Sequence, residues 1–489
     1  MNNLKYRRQF FLGTGFLEYE TWNKIRIGDN HFLTSHPDLE VNQVIKNGNS
    51  LTLIGFVIDP FNPEDSNEEI IDKMLEGANE FNDVIDRSYP FGGRYIFIFN
   101  NPVETKLFTD PCALRQAFYT MNIKGLHCGS QPTILAENLN IRKDEDDSLL
   151  DFIQSEEFKR NENSWIGDST PYSGIKHLLP NHYLNLLTGE ANRFWIDNEK
   201  TTDVKEITKK GAQILRGSLL AANHRYNLML GVTAGWDSRM LLAASKVIKM
   251  TLGYWVGKMN VLKDTDYDIK TPKRLAARLG FKLKIIDKLP PLKQELVTTL
   301  KKNVSLARIL GKTKMIQYHL ENSEGMVNIN GNASEIVRNH YGVNHMKNIT
   351  PQYLASLDDY DNNIYVINKL DEWITPAKKL CNDKRFDLVD LFYWEQRMGN
   401  WGALFQAEQD LALEAFSPFN NRELILTLVK ADVKYRRAPH YFLYRHLLEE
   451  LWEETLEEPI NGGRKAIIRQ KILKLIPNSL KEKLKSILY

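Results

Sequence analysis

The chain has 489 residues, of which 42% are hydrophobic and 26% are charged, and its formal net charge is +2. This length exceeds what one hydrophobic core supports, so we expect two domains. The composition is that of a soluble globular protein: no apolar run approaches the ~20 residues that cross a bilayer, which excludes a transmembrane segment, and the balanced charge argues against a nucleic-acid partner.

The N-terminus lacks the pattern of a signal peptide, because a polar, basic stretch over residues 1–8 is followed by only a short Phe-Phe-Leu segment. We therefore expect a cytoplasmic protein. The cysteines at positions 112, 128 and 381 are few and have no CxxC spacing, which indicates neither a disulfide framework nor a zinc site. We interpret them as small buried hydrophobic residues.

The first half of the chain predicts a β-rich domain. Residues 51–58 and 91–100 are runs of β-forming residues, and a polar, acidic helical stretch over 64–86 separates them. Short strands with turns continue to Trp195.

The domain boundary is predicted from the start of the next helix. Asp203 and Glu206 fit a capping box that begins a helix running to about Ala222. The boundary therefore lies between residues 196 and 202, and we divide the chain into domains 1–198 and 199–489.

The second half predicts strands that alternate with helices. Strands are expected at 228–232, 251–256 and 281–287, with a helix over 266–279 between the last two. This alternation is typical of a doubly wound parallel sheet, in which ligands bind at the carboxyl ends of the strands. The sequence thus predicts an α/β fold for this half.

The segment that follows the first of these strands has the composition of an anion-binding loop. The small residues Thr233, Ala234 and Gly235 let backbone N–H groups approach a phosphate, and the following helix adds orphan donors and a positive dipole end. No Gly-Lys-Ser/Thr follows, so this is not the ordinary P-loop. The alternative is a plain strand and helix, with Asp237 and Ser238 as the helix cap.

A second loop follows a strand predicted at 326–329 and contains Gly331, Ser334 and Glu335. Mg²⁺ usually takes one or two carboxylates and keeps several waters, so Glu335 together with Asp237 could hold this ion. The alternative is that Glu335 only caps a helix and that Arg338 is a surface residue.

The end of the chain is basic. Residues 464–485 contain eight basic residues and the single acid Glu482, interleaved with Ile and Leu at helical spacing. This pattern predicts an amphipathic helix that is either solvated or in contact with a membrane surface or another anionic partner.

The loop at 233–238, Thr-Ala-Gly-Trp-Asp-Ser, resembles the Ser-Gly-Gly-x-Asp-Ser pyrophosphate loop of the asparagine synthetase family, whose ligases split ATP into AMP and pyrophosphate. The loop at 330–335 is similar to the family's Gly-Glu-Gly-Ala-Asp-Glu loop, with Ser334 at the Asp position. The resemblance implies ATP and Mg²⁺ as cofactors, with Mg²⁺ held by Asp237 and Glu335.

The same resemblance implies the other site residues. Arg445 keeps the register of a family Lys-x-x-Leu-Arg element, in which Tyr441 replaces the lysine, so Lys434 or Arg436 would supply the missing positive charge. Asp237, Glu335 and these cations are the implied catalytic residues. The implied nucleotide contacts are Thr233, Ala234, Gly235, Trp236, Asp237, Ser238, Gly253 and Gly331.

The first half resembles the glutaminase half of the same family through the segments 91–99, 106–111 and 118–119. This implies an Ntn-type α/β/β/α sandwich at the N-terminus and an ATP pyrophosphatase domain of the doubly wound type at the C-terminus. Residue 2 is Asn, however, where such domains carry the nucleophilic cysteine. We interpret the domain as a degenerate amidotransferase in which Arg94 and Asp110 serve structure; an unrelated β-rich domain is the alternative.

The function implied is an ATP-dependent amide ligase that adenylates the carboxylate of a small molecule or peptide and transfers the acyl group to ammonia or an amine. Relatives of this kind include β-lactam synthetases and lasso-peptide cyclases. Phe416 and Asn421 replace an Arg and an Asp of the family, which disfavours asparagine synthesis. The alternatives are a decayed binding scaffold, a glutamine-independent asparagine synthetase, and an ATP pyrophosphatase that acts on a tRNA base.

Overall fold

The computed structural model describes residues 4–196, 203–342, 348–360 and 362–462. In the described first half, two six-stranded antiparallel sheets have the strand orders β10-β8-β9-β1-β3-β2 and β12-β11-β7-β6-β5-β4. Their strands are β1 (Phe10–Gly13), β2 (Asn23–Ile27), β3 (His31–Ser35), β4 (Val41–Lys46), β5 (Asn49–Ile58), β6 (Gly92–Asn100), β7 (Thr105–Thr109), β8 (Phe118–Asn122), β9 (Gly125–Gly129), β10 (Lys176–His177), β11 (His182–Asn185) and β12 (Ala191–Arg193).

These sheets are stacked with helices on both outer faces. One apolar cluster, which includes Phe10 and Ile96, fills the space between the sheets, and others pack helices on the outer faces. The helices α1 and α2 cover the second sheet and α3 covers the first, which gives four layers. The helices of this half are α1 (Asn67–Leu75), α2 (Phe81–Arg87), α3 (Pro132–Leu139), α4 (Asp147–Gln154) and α5 (Glu156–Arg160).

The second half contains a parallel sheet with the order β15-β14-β13-β16-β17. Numbered along the chain within this sheet, the order is third, second, first, fourth and fifth, so the sheet grows outward in both directions from the pair β13 and β16. The strands are β13 (Asn227–Gly231), β14 (Gly253–Gly257), β15 (Leu283–Ile286), β16 (Met326–Ile329) and β17 (Glu414–Phe416).

Helices cover both faces of the parallel sheet. Leu228 and Leu230 face one cluster that contains α6, α7, α16 and α18, whereas Met229 faces the opposite side, toward α10. The helices are α6 (Val204–Arg225), α7 (Trp236–Ala244), α8 (Tyr267–Leu279), α9 (Gln294–Asn303), α10 (Thr313–Asn322), α11 (Ser334–Val337), α12 (Pro351–Leu357), α13 (Ile364–Lys384), α14 (Leu388–Phe392), α15 (Ala403–Gln409), α16 (Arg422–Val429), α17 (Val433–Arg436) and α18 (Phe442–Trp452), with a π-helical segment at Tyr393–Gly402 and 3₁₀ segments at Ser245–Ile248 and Glu453–Glu457. The prediction of a mixed α/β chain with a parallel sheet is confirmed.

The predicted elements differ from the observed ones mainly at their ends. The helical stretch predicted over 64–86 is two helices, because Gly77 takes a positive φ of 64° that turns the chain after α1. The predicted helix from 203 to about 222 extends to Arg225. The segment 197–202, which contains the predicted boundary, lies outside the described residues. In the described ranges, no helix combines the length and apolar character that crossing a membrane requires.

A buried ion-pair cluster joins the two halves. Arg94, on β6, donates from Nη1 to Asp410 Oδ1 at 2.5 Å and to Glu414 at 2.8 Å, and from Nη2 to Asp410 Oδ2 at 2.7 Å. Arg115 donates to the other oxygen of Glu414 at 2.8 Å. Asp110 accepts backbone N–H groups in the turn after β7, including that of Arg115 at 2.8 Å. Arg94 and Asp110 therefore make structural contacts, in agreement with their predicted structural role.

We expect Arg94→Met to lower the free energy of unfolding by about 3–5 kcal/mol, because it leaves the buried Asp410 without its main cation and removes one of the two arginines that pair with Glu414. The Arg94 side chain is only 3% exposed. Urea titration followed by circular dichroism measures this change, with Arg26→Met as the control because the Arg26 side chain is 60% exposed. A loss no larger than that of the control would contradict a stabilising role for the cluster.

Candidate functional site

Two loops meet at the carboxyl ends of β13 and β16, the adjacent strands from which the strand order continues in opposite directions. We call this place the reversal point of the sheet. One loop follows β13 and leads into α7, which carries Asp237 in its first turn, and the other follows the neighbouring strand β16 and leads into α11. The Ser334 hydroxyl donates a hydrogen bond to Asp237 Oδ1. A Cβ on Gly331 would lie 2.6 Å from Asp237 Cβ, so only glycine lets the loops approach this closely. The reversal point is the usual ligand crevice of an open α/β sheet.

Hydroxyl groups hold the first loop in shape. The Thr233 N–H donates to Ser238 Oγ at 3.1 Å, the two hydroxyl oxygens lie 2.9 Å apart, and the Gly235 N–H donates to Thr233 Oγ1 at 3.3 Å. The Ala234 N–H is bonded to Asp268 Oδ1 at 3.0 Å. Trp236, Asp237 and Ser238 form the first turn of α7, so their backbone N–H groups have no acceptor within the helix. They are among the N–H groups expected to face a phosphate.

Arg338 lies between the two predicted carboxylates. Its Nη2 is 2.7 Å from Asp237 Oδ1 and 3.4 Å from Glu335 Oε1, and its side chain is 13% exposed. The guanidinium centre also lies 5.6 Å from the ring centroids of both Tyr441 and Tyr444. Arg338 is therefore a largely buried ion-pair partner and not the surface residue of the alternative interpretation. Its position three residues after Glu335 was the sequence signal that could have revealed this pair.

The environment raises the pKa of Glu335 to about 7, first because of burial and then because of the negative charge of Asp237, while Arg338 acts in the opposite direction. The backbone is also unusual here, since Ala333, just before α11, has a φ of 73° that non-glycine residues rarely adopt. Such departures from ordinary values concentrate at functional sites.

The donor set at this site does not fit a resident Mg²⁺ as it is arranged. Asp237 Oδ1 already accepts hydrogen bonds from Ser334 and Arg338, and the same guanidinium approaches Glu335. In the described part of the chain, no cluster of three or more His, Cys, Asp and Glu side chains could hold a metal. A metal at these two carboxylates would have to displace Arg338.

Of the predicted contacts Arg445 and Gly253, only Arg445 lies beside the first loop. The Arg445 guanidinium centre is 5.4 Å from the Trp236 ring, beside the start of α7, and Arg445 Nε donates to the His440 carbonyl at 3.0 Å. Gly253 begins β14, so it lies at the amino end of that strand, whereas the loop follows the carboxyl end of β13. The structure does not bring Gly253 to the loop.

The other predicted cations are engaged elsewhere. Arg436 is buried, with Nη1 2.9 Å from Asp390 and Nε donating to the Ala431 carbonyl. Lys434 has a 62% exposed side chain that lies 3.7 Å from Asp432. Neither makes a described contact with Asp237 or Glu335. Arg338, and not Lys434 or Arg436, is the described cation in contact with Asp237 and Glu335.

The replacements at 416 and 421 are structural. Phe416 packs in the core against Phe56, with ring centroids 5.9 Å apart. Asn421 caps α16 by accepting the Leu424 N–H at 2.8 Å, and it donates to the Pro90 carbonyl at 2.7 Å. Two further predictions, the consequence of Asn2 and the basic helix over 464–485, concern residues outside the described ranges.

Comparison with protein-family models finds no matching family, and comparison with curated proteins finds no matching relative. Among solved structures, the chain is similar to glutamine phosphoribosylpyrophosphate amidotransferase from B. subtilis, complexed with ADP and GMP, at 11% identity and a TM-score of 0.24. That match covers 69% of this chain and 73% of the other.

A second similar structure is an NH₃-dependent NAD synthetase from Campylobacter jejuni, at 17% identity and a TM-score of 0.22, over 40% of this chain and 94% of that one. A third is an allosteric regulatory enzyme of purine biosynthesis, at 10% identity and a TM-score of 0.25, over 67% and 69% of the two chains. These matches are too distant to identify a fold or a function.

The raised pKa of Glu335 predicts a pH dependence of stability. A carboxyl that holds its proton more tightly when folded stabilises the fold at low pH, and this contribution is lost as pH rises between about 4.5 and 7. Relative to Glu335→Gln, the wild type should lose about 1–2 kcal/mol of unfolding free energy over this window. This is less than the full shift in pKa would give, because the Glu335 side chain is partly exposed to solvent. Urea titrations at several pH values, with Glu18→Gln as an exposed control, measure this difference; parallel curves for the wild type and Glu335→Gln would refute it.

The position of Arg338 predicts an effect on divalent-cation binding. Arg338→Met removes the cation from two adjacent carboxylates, so we expect Mn²⁺ to bind this variant at least about tenfold more tightly than the wild type. Electron paramagnetic resonance of free Mn²⁺ measures both affinities. Tight binding by the wild type that Asp237→Asn abolishes would instead restore the predicted metal site.

Proposed function

We propose that the chain is an ATP-dependent amide ligase that forms AMP and pyrophosphate. The observation that carries this proposal is the meeting of the two loops at the reversal point of the parallel sheet, with free N–H groups on one side and Arg338 on the other. Helix N-termini and guanidinium groups are the usual partners of phosphate oxygens.

In this proposal, Arg338 is the main side chain that contacts the polyphosphate. Its Nε is buried and has no hydrogen-bond partner among the described residues. A buried donor without an acceptor is costly, and a phosphate oxygen would satisfy it. The N–H groups of Trp236, Asp237 and Ser238 would hold the leaving pyrophosphate, and Arg445 would contribute positive charge beside them. Lys434 and Arg436 have no role in this scheme.

The proposed reaction has two steps. The substrate carboxylate oxygen attacks the α-phosphorus of ATP, and the bond from that phosphorus to the bridging oxygen of pyrophosphate breaks. Ammonia or an amine then attacks the carbonyl carbon of the acyl-adenylate, AMP leaves, and an amide remains. Glu335 is suited to take the proton of the attacking nitrogen, because its pKa of about 7 is in the range of an effective general base. No step depends on a metal held by the protein.

In this proposal the N-terminal half is a degenerate Ntn-type domain. The nitrogen would come from ammonia or from an amine on the second substrate. We keep residues 1–198 and 199–489 as the proposed extents of the two domains.

A binding scaffold is the second proposal, and one observation favours it. The carboxylates that would assist catalysis are both neutralised by Arg338. A protein of this kind would bind a nucleotide without cleaving it.

Calorimetric titration with a non-cleavable α,β-methylene analogue of ATP tests the site. Arg338→Met should weaken binding about tenfold or more, because it removes charge-assisted hydrogen bonds to phosphate. Arg26→Met is the matched control and should bind like the wild type, since Arg26 is an exposed residue paired with Asp29. Equal affinity of the wild type and Arg338→Met would exclude the proposed site.

Pyrophosphate release from ATP distinguishes the two proposals. A ligase should release pyrophosphate when a suitable carboxylic acid and amine are added, and Asp237→Asn should lose this activity while remaining folded, because Arg338 then loses its main anchor. Nucleotide binding without release across a broad panel of acids would favour the scaffold.

A further inference from the structure

A separate cavity lies on the opposite face of the parallel sheet from α7. It has a volume of about 190 Å³, is partly open to solvent, and is lined by residues of β14 and β16 together with α10 and α15. Most of its wall is apolar and is formed by Trp255, Met315, Ile316, Phe405, Ala412 and Leu413. For comparison, an engineered cavity of roughly 150 Å³ binds benzene.

Four residues that line this cavity each carry a buried polar side-chain atom without a hydrogen-bond partner among the described residues. These atoms are Trp255 Nε1, His319 Nε2, Asn328 Oδ1 and Gln409 Nε2. Buried polar atoms in proteins are nearly always paired, so a group of four around one space indicates a partner that enters this space.

Asn328 and Gln409 define what that partner presents. Asn328 Nδ2 donates to Gln409 Oε1 at 3.1 Å, which leaves one acceptor atom, Asn328 Oδ1, and one donor atom, Gln409 Nε2, without any partner. Rotation of both amides by a half turn exchanges these roles but still leaves one donor and one acceptor. The pair is thus complementary to a group that carries a donor next to an acceptor.

The charged residues of the wall are already neutralised. Arg308 forms a bidentate pair with Glu408, with contacts of 3.0 and 2.7 Å, and Lys312 donates to Glu162 at 2.8 Å. Burial lowers the pKa of His319 to about 4, so its ring is neutral near pH 7. An anionic ligand would find no unpaired cation here, and we therefore expect a neutral one.

We propose that this cavity binds a small neutral molecule made of one ring and a primary carboxamide. The ring would lie against Trp255 and Phe405, and the carboxamide would pair with Asn328 and Gln409. The site adjoins the first loop, because the Trp255 ring lies 3.2 Å from the position of a Cβ on Gly231 and the Val232 N–H donates to the Trp255 carbonyl at 2.8 Å. It uses none of the groups proposed to bind ATP.

Saturation-transfer NMR with benzamide on the full chain tests this site, with benzoate as the isosteric anion. We expect benzamide to bind at millimolar concentration and benzoate not to bind. The double variant Asn328→Leu with Gln409→Met should weaken benzamide binding about tenfold or more, and because both partners of the amide pair are replaced by apolar groups, the fold should persist. Gln294→Met, at an exposed amide on α9, is the control and should bind normally.

Three outcomes would overturn the proposal: no benzamide binding at millimolar concentration, equal binding by the double variant, or equal binding of benzoate. Binding of adenosine in preference to benzamide would assign the cavity to a nucleoside and would also overturn it. Arg338→Met should retain benzamide binding, so failure of the proposed ATP site is distinguishable from failure of this cavity.

Discussion

The contact of Arg338 with Asp237 and Glu335 is the interaction on which the rest of the candidate site depends. Two carboxylates on adjacent loops repel each other in a partly buried setting unless a cation lies between them. Arg338 supplies this cation, Ser334 adds a hydrogen bond to Asp237, and Gly331 allows the backbones to approach. The loops are thereby held at the carboxyl ends of β13 and β16, where an open α/β sheet binds its ligands.

The same charge balance determines what the site can do. Because the Arg338 guanidinium already pairs with both acids, a metal ion at this site would have to displace it. The Arg338 Nε has no hydrogen-bond partner among the described residues and could donate to a phosphate oxygen. The raised pKa of Glu335 follows from burial beside Asp237, and it gives the site a group that exchanges a proton near neutral pH. In the proposed function, anion binding and proton transfer would both use this one cluster of side chains.

Three features of the parallel sheet lie close together. The face toward α7 belongs to the large core shared with the N-terminal half, whose Arg94 is bonded to Asp410 and Glu414 near β17. The opposite face contains the cavity lined by Trp255 and Asn328. Trp255 connects this cavity to the first loop, because its ring packs on Gly231, the last residue of β13. A ligand in the cavity would therefore contact Trp255, whose ring packs on the strand that leads into the first loop.

The sequence by itself determined the periodic elements, the parallel sheet and the loop around Asp237, because hydrophobic alternation and small residues before a helix are local properties. It did not reveal the contact of Arg338 with Asp237, and it predicted the cation to be Lys434 or Arg436 instead, because a contact between an arginine and an acid on separate loops depends on how distant segments pack. The pairing of Arg94 with Asp410, more than 300 residues away, and the amide pair of Asn328 and Gln409 are of the same kind. Only the tertiary structure decided these contacts, since they arise from the meeting of strand ends and helices that are far apart in the chain.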